Sequence, residues 1–373
     1  MNKRTSPENF AGYENNLSQE QHKEEEKDAI EIVKECDYPQ AILRLKEEGI
    51  FEHQLLQTKD LYEKELSDAL FLTEKDWEMI TVIMLYSPEL AEHSIETYKL
   101  LRSKIENISI GSESIADAIV QEHGSLDKFY RASVLHDIGK TAIPESVLNH
   151  TLVPGDWQAL KTLRIQEFPQ EWVHTYLGLH VGENFENFDI ETYSKKFKVN
   201  PISTVPVSHY LPENELAKLT QRNISTDLTL REIFEMHEPE SQKMLENEGL
   251  PVEGAVVGQH HNYKHEPYIY PISAKTIGLS TNYAALLSWA DRQQALISNR
   301  PYKKGYSLTK ATSIILEEEK LKEIKDQELA ALWIQDDIEK GKFAPETDKD
   351  IERFNDIQAF VKKYHPEAEK LSI

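Results

Sequence analysis

The residues whose chemistry is easiest to recognise are an adjacent histidine and aspartate, His136 and Asp137, in the run LHDIGKTAIP. Imidazole and carboxylate groups are ligands that divalent transition metals accept together. Side chains of adjacent residues diverge in the middle of a helix, because only positions three or four apart share a face. At a helix end the backbone can turn and bring both to one point, and Gly139 is suited to that turn. The pair therefore predicts a metal site at a helix terminus.

Further residues with metal-binding side chains occur on both sides of this pair. Glu89 and His93 are four residues apart after Pro88, so they share one face of a predicted helix. The complete set of predicted ligands is Glu89, His93, His136, Asp137, His237, His260, His261 and Asp291. Such a mixture of imidazoles and carboxylates suits two or three divalent ions, with Fe or Mn favoured.

One of these ligands has a competitor. His174 lies nearer to the His136–Asp137 pair along the chain and would replace His237 if the irregular segment between them began later. The helical sequence after His237 and its short distance from His260 favour His237. The sequence is compatible with either histidine.

Such a centre would suit the hydrolysis of a phosphate ester. Two metal ions about 3.5–4 Å apart lower the pKa of a shared water and hold a phosphoryl group for in-line attack. A bridging hydroxide would then be the nucleophile. We predict Asp137 and Lys140 as catalytic residues, because Asp137 holds the metals and Lys140 can hold a phosphate as a point charge.

The sequence around these residues resembles a known family. The run HDIGKTAIPESVLNHTLVPGDW resembles the central signature of HD-GYP domains, which belong to the HD superfamily of metal-dependent phosphohydrolases. Residues 237–245, HEPESQKML, resemble the HPxxGxxxL helix of that family, with Ser241 where glycine is usual. Residues 289–302, WADRQQALISNRPY, resemble its VADVFDALTSDRPY segment. The resemblance covers roughly residues 75–320.

This resemblance implies a substrate and a ligand set. Glu89 and His93 match further ligands found upstream in members that bind three ions. The residues that correspond to the main metal ligands of such domains are His136, Asp137, His237, His260, His261 and Asp291. The implied activity is hydrolysis of cyclic di-GMP to linear pGpG or GMP. Lys140, Arg300 and Lys304 would approach the phosphates. The expected partner is therefore a small phosphorylated nucleotide.

One segment departs from the family pattern. After the paired histidines the family usually reads ERWDGSGYP, whereas residues 262–271 here read NYKHEPYIYP. The glycines that would let the backbone approach a ligand closely are missing. This change motivates an alternative, a catalytically inactive HD-GYP-like signalling or nucleotide-binding module. A di-iron oxygenase, a chemistry found among HD-superfamily members, is a third hypothesis.

Composition narrows the function classes. The formal net charge of −23 disfavours polymeric nucleic acid, which normally requires a basic surface, but leaves room for a small phosphorylated ligand. No apolar run approaches the roughly 20 residues of a membrane span, and the polar N-terminus does not resemble a signal peptide. The single cysteine, Cys36, suits a reducing compartment. We expect a cytoplasmic protein with no membrane partner, and a homodimer is left open.

The elements that must position these residues are predicted to be helices. Thr73–Asp76 resembles a capping box, and Ser87–Pro88 predicts the start of a helix that runs to about residue 106. Gly124 is expected to end a helix from residue 115, and Ser125 to open the helix that delivers His136. Further helices are predicted near 256 and over 284–296, 308–316 and 329–338. The predicted fold class is all-α, an HD-domain helical bundle with an irregular insertion and extra terminal helices.

The predicted organisation has four parts. A disordered acidic tail over 1–28 precedes a small helical segment over 29–74. An HD-GYP-like domain follows over 75–325, and C-terminal helices occupy 326–373. Prolines and polar stretches mark an irregular insertion at about 165–230 inside the domain. An insertion of that length is expected to contain short elements of its own and to cover a site.

Overall fold

The computed structural model describes residues 24–36, 38–66, 71–110, 113–148, 206–209, 211–261, 271–274, 279–299, 304–318 and 324–365. Helices dominate these residues, which confirms the predicted all-α class. Strands in the described part of the chain are limited to two antiparallel hairpins. They pair β1 (Ser109–Ile110) with β2 (Glu113–Ser114), and β3 (Pro271–Ala274) with β4 (Leu279–Asn282). Among the described helices, none is both long and apolar enough to cross a bilayer.

Contacts within the chain define two compact units, residues 1–89 and 90–373. The first unit contains α1 (24–35), α2 (Tyr38–Glu47), α3 (Phe51–Tyr62) and α4 (Glu74–Tyr86). Residues 24–28, expected in the tail, thus lie in a helix, and residues 1–23 lie outside the described residues. Large apolar side chains of this unit are buried, including Tyr38, Leu45, Phe51, Leu55, Tyr62, Met79, Ile80 and Ile83.

The predicted helix boundaries before the His136–Asp137 pair are confirmed. The Thr73 hydroxyl and the Asp76 carboxylate form the expected capping box at the start of α4. Helix α5 runs over Pro88–Asn107, and α6 over Ile115–His123 ends at Gly124, which has a φ of 82°. Helix α7 (Asp127–Leu135) follows; its N-cap is Leu126, one residue after the predicted Ser125, whose hydroxyl accepts a hydrogen bond from the Asp127 amide.

The chain after α7 turns for a different reason than the sequence suggested. His136 and Asp137 end the helix, and a 3-10 turn over Ile138–Ala142 follows. Gly139 is not left-handed there. A Cβ atom on Gly139 would instead overlap the His237 carbonyl and lie 2.7 Å from the Ser241 Oγ. Glycine is needed because another helix passes so close, not because of an unusual φ.

That neighbouring helix belongs to the rest of the second unit. After α8 (Glu145–Leu148), the described chain resumes at residue 206 and forms α9 (Glu213–Gln221), α10 (Leu230–Glu235), α11 (His237–Asn247) and α12 (Pro251–Val257). Helix α11 packs against both the 3-10 turn and α12, and α12 packs against α7. Helices α7, α11 and α12 thus pack together with the 3-10 turn, and this packing places the start of α11 beside His136 and Asp137.

The described end of the predicted insertion is a packed part of the second unit. Apolar side chains from residues 206–236 form one cluster with residues that directly follow the His136–Asp137 turn: Ile143, Val147, Val207, Leu211, Leu219, Ile224, Leu230 and Ile233. The Arg222 guanidinium also donates a 2.5 Å hydrogen bond to the Thr141 carbonyl. The part of the insertion before residue 206 lies outside the described residues.

The last helices pack behind the elements that carry the predicted ligands. These helices are α13 (Tyr283–Ile297), α14 (Leu308–Glu318), α15 (Ile324–Glu339) and α16 (Asp348–Tyr364). Trp333 on α15 is buried, and its indole N–H donates a 2.8 Å hydrogen bond to Gln293 on α13. Lys104 on α5 is also fully buried, and its ammonium group donates to the Trp333 carbonyl at 2.7 Å. Helix α15 therefore joins α5 to α13.

Candidate metal centre

Seven of the eight predicted ligands form two clusters in the described residues. One cluster, the carboxylate group, contains His93, His136, Asp137 and Asp291; the other, the histidine group, contains His237, His260 and His261. Within each cluster, one ligand atom per residue lies within 4.8 Å of every other. The seven residues come from α5, the end of α7, the start of α11, the turn after α12, and α13.

The carboxylate group is compact and almost fully buried. The His93 Nε2 lies 2.8 Å from the Asp291 Oδ1, and the His136 Nε2 lies 3.3 Å from the Asp137 Oδ2 and 3.6 Å from the Asp291 Oδ1. The His93 and His136 rings meet edge to face, with their centroids 5.7 Å apart. Two carboxylates and two imidazoles thus converge on one point, the donor set expected for a divalent ion.

The histidine group is built around α11 and the turn after α12. The Nε2 atoms of His237 and His261 lie 3.1 Å apart, and the His260 ring lies within 5.3 Å of the His237 ring. Two nitrogens that each bind one ion at about 2.1 Å would be this far apart if they subtended nearly a right angle. The His237–His261 pair therefore has a spacing suited to a shared ion.

Asp137 lies between the two groups. Its Oδ2 faces His136 and lies 3.8 Å from the His93 Nε2, whereas its Oδ1 lies 3.6 Å from the His237 Nε2. Asp291 is arranged similarly, with Oδ2 4.0 Å from the His261 Nδ1. Each carboxylate thus presents one oxygen to each group. Asp137 therefore reaches both groups, each of which could hold a metal ion.

The hydrogen bonds behind three of the imidazoles select one tautomer. The Nδ1 atoms of His136, His237 and His260 each face the carbonyl oxygen three residues earlier, on Ser133, Phe234 and Val257. A carbonyl can only accept, so each Nδ1 must carry the proton. In the neutral ring the Nε2 lone pair is then free to bind a metal, a common arrangement behind histidine ligands.

Several atoms of the candidate ligands are buried without a hydrogen-bond partner. Among the described residues, His93 Nδ1, His136 Nε2, Asp137 Oδ1 and His260 Nε2 are buried without a hydrogen bond. Leaving polar atoms unsatisfied in the interior costs free energy unless something binds them. Three of these four atoms face the convergence points of the two groups, so the residues present fit a bound divalent ion.

Electrostatics favours a cation at the carboxylate group. Burial would raise the pKa of Asp137, but the charges of His136 and Lys140 outweigh it and keep the value well below the ordinary range. Burial would also raise the pKa of Asp291, but the neighbouring His136 and His93 rings have the same lowering effect there. Burial also lowers the pKa of His136, yet the Asp137 and Asp291 carboxylates reverse that effect and raise it to about 10. The two buried carboxylates thus stabilise a positive charge on the His136 ring. A bound metal ion would supply that positive charge in place of the proton.

The other imidazoles are kept neutral. Burial, with the nearby Lys140 ammonium group, lowers the pKa of His237 to about 3. Burial also lowers the pKa values of His93, His260 and His261. Neutral imidazole is the form that binds metals, so these four rings are ready to act as ligands near pH 7.

Lys140 is held at the edge of the centre. Its Nζ lies 2.5 Å from the Asp137 Oδ2, and 20% of its side chain is exposed. The ammonium group thus reaches both a ligand carboxylate and solvent. This position is compatible with the predicted phosphate contact.

The remaining predicted site residues are not in these two groups. Glu89 is exposed in the first turn of α5 and accepts a 3.1 Å hydrogen bond from the Ser87 hydroxyl. Lys304 is exposed in the segment before α14. Arg300 lies outside the described residues, as do His174, the competitor of His237, and the altered segment up to residue 270. The roles predicted for Glu89, Lys304 and Arg300 stay predictions.

Two residues that the sequence reasoning did not assign to the site contact its backbone. The Ser241 hydroxyl donates to the His136 carbonyl at 2.9 Å and accepts from the Gly139 amide at 2.7 Å. The Glu238 carboxylate accepts a 2.8 Å hydrogen bond from the His261 amide. The departure from glycine at position 241 was the one sequence signal that could have drawn attention to Ser241.

Comparison with family models, curated proteins and solved structures gave no match. The resemblance to HD-GYP domains therefore depends on the motifs quoted above. The geometry of the two groups is an independent observation.

Proposed function

We propose that this chain is a metal-dependent phosphohydrolase of the HD-GYP type. The observation that carries the proposal is the placement of Asp137 between two groups of imidazole and carboxylate ligands. Two separate blocks of sequence, around 136–137 and 237–261, meet there as the resemblance implies. A pair of ligand groups with a shared carboxylate is the arrangement used by two-metal hydrolases.

Two divalent ions, Fe or Mn, are the proposed cofactors. His93, His136, Asp137 and Asp291 would hold one, and His237, His260 and His261 with Asp137 would hold the other. When bound, such ions activate water and stabilise charge on a phosphoryl group. A third ion would need further ligands, for which Glu89 is the predicted candidate.

The chain's own residues have distinct roles in this proposal. Asp137 and Asp291 supply the negative charge that retains the ions. The carbonyls behind His136, His237 and His260 keep the Nε2 atoms aimed at the centre. Lys140, which reaches solvent beside Asp137, would bind a non-bridging phosphate oxygen and orient the ester.

We propose cyclic di-GMP, or a related small nucleotide, as the substrate. The resemblance over residues 136–157 and the Arg-Pro-Tyr segment at 300–302 supports this class. A second candidate function is a module that binds nucleotide without hydrolysis. The observation that favours it is the sequence NYKHEPYIYP at 262–271, which lacks the glycines of the family pattern.

The two functions separate in one experiment. Full-length protein loaded with Mn²⁺ or Fe²⁺ is incubated with cyclic di-GMP, and linear products and bound nucleotide are both measured. If the chain is an enzyme, linear product should form, and its rate of formation should fall by more than about 100-fold in Asp137→Asn. Removing a metal ligand should cost more than removing a residue that only hydrogen-bonds to a ligand. Asp127→Asn, an exposed carboxylate in the first turn of α7, is the matched control and should retain activity.

Each other outcome has a defined meaning. Nucleotide that binds without turnover in metal-loaded protein would favour the non-hydrolytic module. Equal activity of wild type and Asp137→Asn would contradict a metal-dependent reaction at this centre.

A further inference from the structure

We propose that helix α11 positions both ligand-bearing turns of the centre through two buried side chains, Glu238 and Ser241. This role depends on the metal centre proposed above and adds two positioning residues to it. Neither side chain belongs to the ligand groups. Each one instead makes a hydrogen bond to the backbone next to a ligand.

Glu238 holds the turn that carries His260 and His261. Its side chain is 2% exposed, and its Oε1 accepts a 2.8 Å hydrogen bond from the His261 backbone N–H. That N–H belongs to the peptide between His260 and His261, so fixing it orients both residues. Because Glu238 directly follows His237, adjacent residues on α11 supply one ligand of the histidine group and fix the other two.

Ser241 holds the turn that carries His136 and Asp137. Its hydroxyl is fully buried, donates to the His136 carbonyl and accepts from the Gly139 N–H. These two backbone groups belong to the His136–Asp137 and Ile138–Gly139 peptides, so one hydroxyl fixes the backbone before and after the bridging carboxylate. The close approach at Gly139 described above makes this contact sterically accessible.

The two residues are three positions apart and so lie on one face of α11. Both stand where the quoted HPxxGxxxL pattern has proline or glycine, whose side chains make no hydrogen bond. This chain has thus replaced two non-bonding positions by a carboxylate and a hydroxyl, each aimed at a different ligand turn. One helix face thereby sets the relative position of the two ligand groups.

The role predicts selective losses of metal affinity. Full-length metal-free protein is titrated with Mn²⁺ by calorimetry, and His93→Ala and His260→Ala identify which binding step belongs to which group. Glu238→Leu should weaken the ion of the histidine group by about 10- to 100-fold and the other by less than about threefold. Ser241→Ala should show the opposite preference, with the larger loss at the carboxylate group.

Two further variants separate positioning from general damage. Glu238→Gln keeps a hydrogen-bond acceptor of the same shape and should bind both ions within about threefold of wild type. Lys243→Ala, an exposed neighbour on the same helix, should behave like wild type. Thermal unfolding of each metal-free variant shows whether it folds, and Glu238→Gln keeps the test decisive if Glu238→Leu does not.

Three results would overturn the role. The first is an unchanged Mn²⁺ affinity in Glu238→Leu and Ser241→Ala. The second is an equal loss of affinity at both binding steps in each variant, as general destabilisation of the fold would produce. For Glu238 alone, a loss in Glu238→Gln as large as that in Glu238→Leu would exclude the hydrogen bond as the cause. If the wild-type chain takes up no Mn²⁺, the result contradicts the proposed function and not only the role of Glu238 and Ser241.

Discussion

At the scale of single residues, the centre is organised by what lies behind each ligand. His136, His237 and His260 all use the same local device, an Nδ1–H directed to the carbonyl three residues earlier. Each of them therefore stands at a helix end or at a turn following a helix, where that carbonyl is within reach. The ring orientation is set before any ion binds, which reduces the conformational entropy lost on binding.

Gly139 allows a residue-scale prediction about packing. Gly139→Ala places a Cβ against the start of α11, and relieving that overlap should lower the free energy of unfolding by about 1–3 kcal/mol. Chemical denaturation measures this loss. Gly124→Ala is the control, because nothing lies within 4 Å of a Cβ there and its cost should come from the positive φ alone, about 1 kcal/mol. A smaller loss at Gly139 than at Gly124 would contradict the packing argument.

The convergence of seven candidate ligands could be predicted from sequence, whereas the contacts that support them could not. His136 and Asp137 were recognisable because residue type and motif carry the chemistry. Gly139 was assigned to the turn at the helix end, because close approach of a helix that begins 98 positions later leaves no local signal. Glu238 was missed for the same reason, since its partner amide is 23 residues away.

At the scale of elements, α5 is joined to α15 by a buried ion cluster. The Lys104 ammonium group lies 2.8 Å from the Asp336 Oδ2 and 2.7 Å from the Asp337 Oδ1, and its side chain is fully buried. It also lies 5.2 Å from the Trp333 ring centroid. His93 lies in the first half of α5 and Lys104 lies in its last turn. The ion cluster therefore fixes the end of α5 that is farther from His93.

Removing the buried charge should therefore be costly. Lys104→Met leaves Asp336 and Asp337 without their shared cation and should lower the free energy of unfolding by about 3 kcal/mol. Urea denaturation measures the change. Lys99→Met, which removes a partly exposed ion pair with Glu96 on the same helix, should cost less than about 1 kcal/mol. Equal effects of the two substitutions would show that the buried cluster does not stabilise the fold.

The same cluster predicts a pH dependence. Burial would raise the pKa of Asp336, but hydrogen bonds from Lys104 and Lys340 outweigh burial and lower it. A carboxyl group with a lowered pKa in the folded state stabilises the fold above its unfolded pKa, about 3.9, and loses that effect as pH falls through the folded value. We expect the acid-side decline in the free energy of unfolding to be shallower in Asp336→Asn than in wild type. Parallel profiles below about pH 4 would contradict this.

Element prediction succeeded where the signal was local. Capping residues before α4 and the left-handed Gly124 after α6 mark boundaries that are set within four residues. The insertion was expected to contain short elements of its own, and its described end does contain α9; its packing on Ile143 and Val147 had no signal in the sequence. Pro212 directly precedes α9, but the apolar contacts that order this segment come from residues about 70 positions earlier.

At the scale of the whole second unit, α15 supports both helices that contribute the outer ligands of the carboxylate group. Trp333 contacts Lys104 of α5 and Gln293 of α13, and these helices carry His93 and Asp291. The C-terminal helices were predicted as a separate part beginning at residue 326. Their buried hydrogen bonds to ligand-bearing helices give them a structural role in the centre.

Trp333 tests that role. Trp333→Ala should lower the free energy of unfolding by about 3–5 kcal/mol, because it opens a cavity and leaves Gln293 unsatisfied. Trp333→Phe keeps most of the ring and should cost about 1–3 kcal/mol, mainly for the lost indole hydrogen bond. Denaturation followed by circular dichroism measures both. A loss below about 1 kcal/mol in Trp333→Ala would show that α15 is not part of the same cooperative unit.

The most direct test of the central claim is the metal content of full-length protein purified without oxygen. We expect about two divalent ions per chain, Fe or Mn, because the two ligand groups share a carboxylate. Asp137→Asn should carry markedly less metal, and Asp127→Asn should match wild type. A wild-type chain that is purified without metal and fails to load on reconstitution with Fe²⁺ or Mn²⁺ would contradict the account.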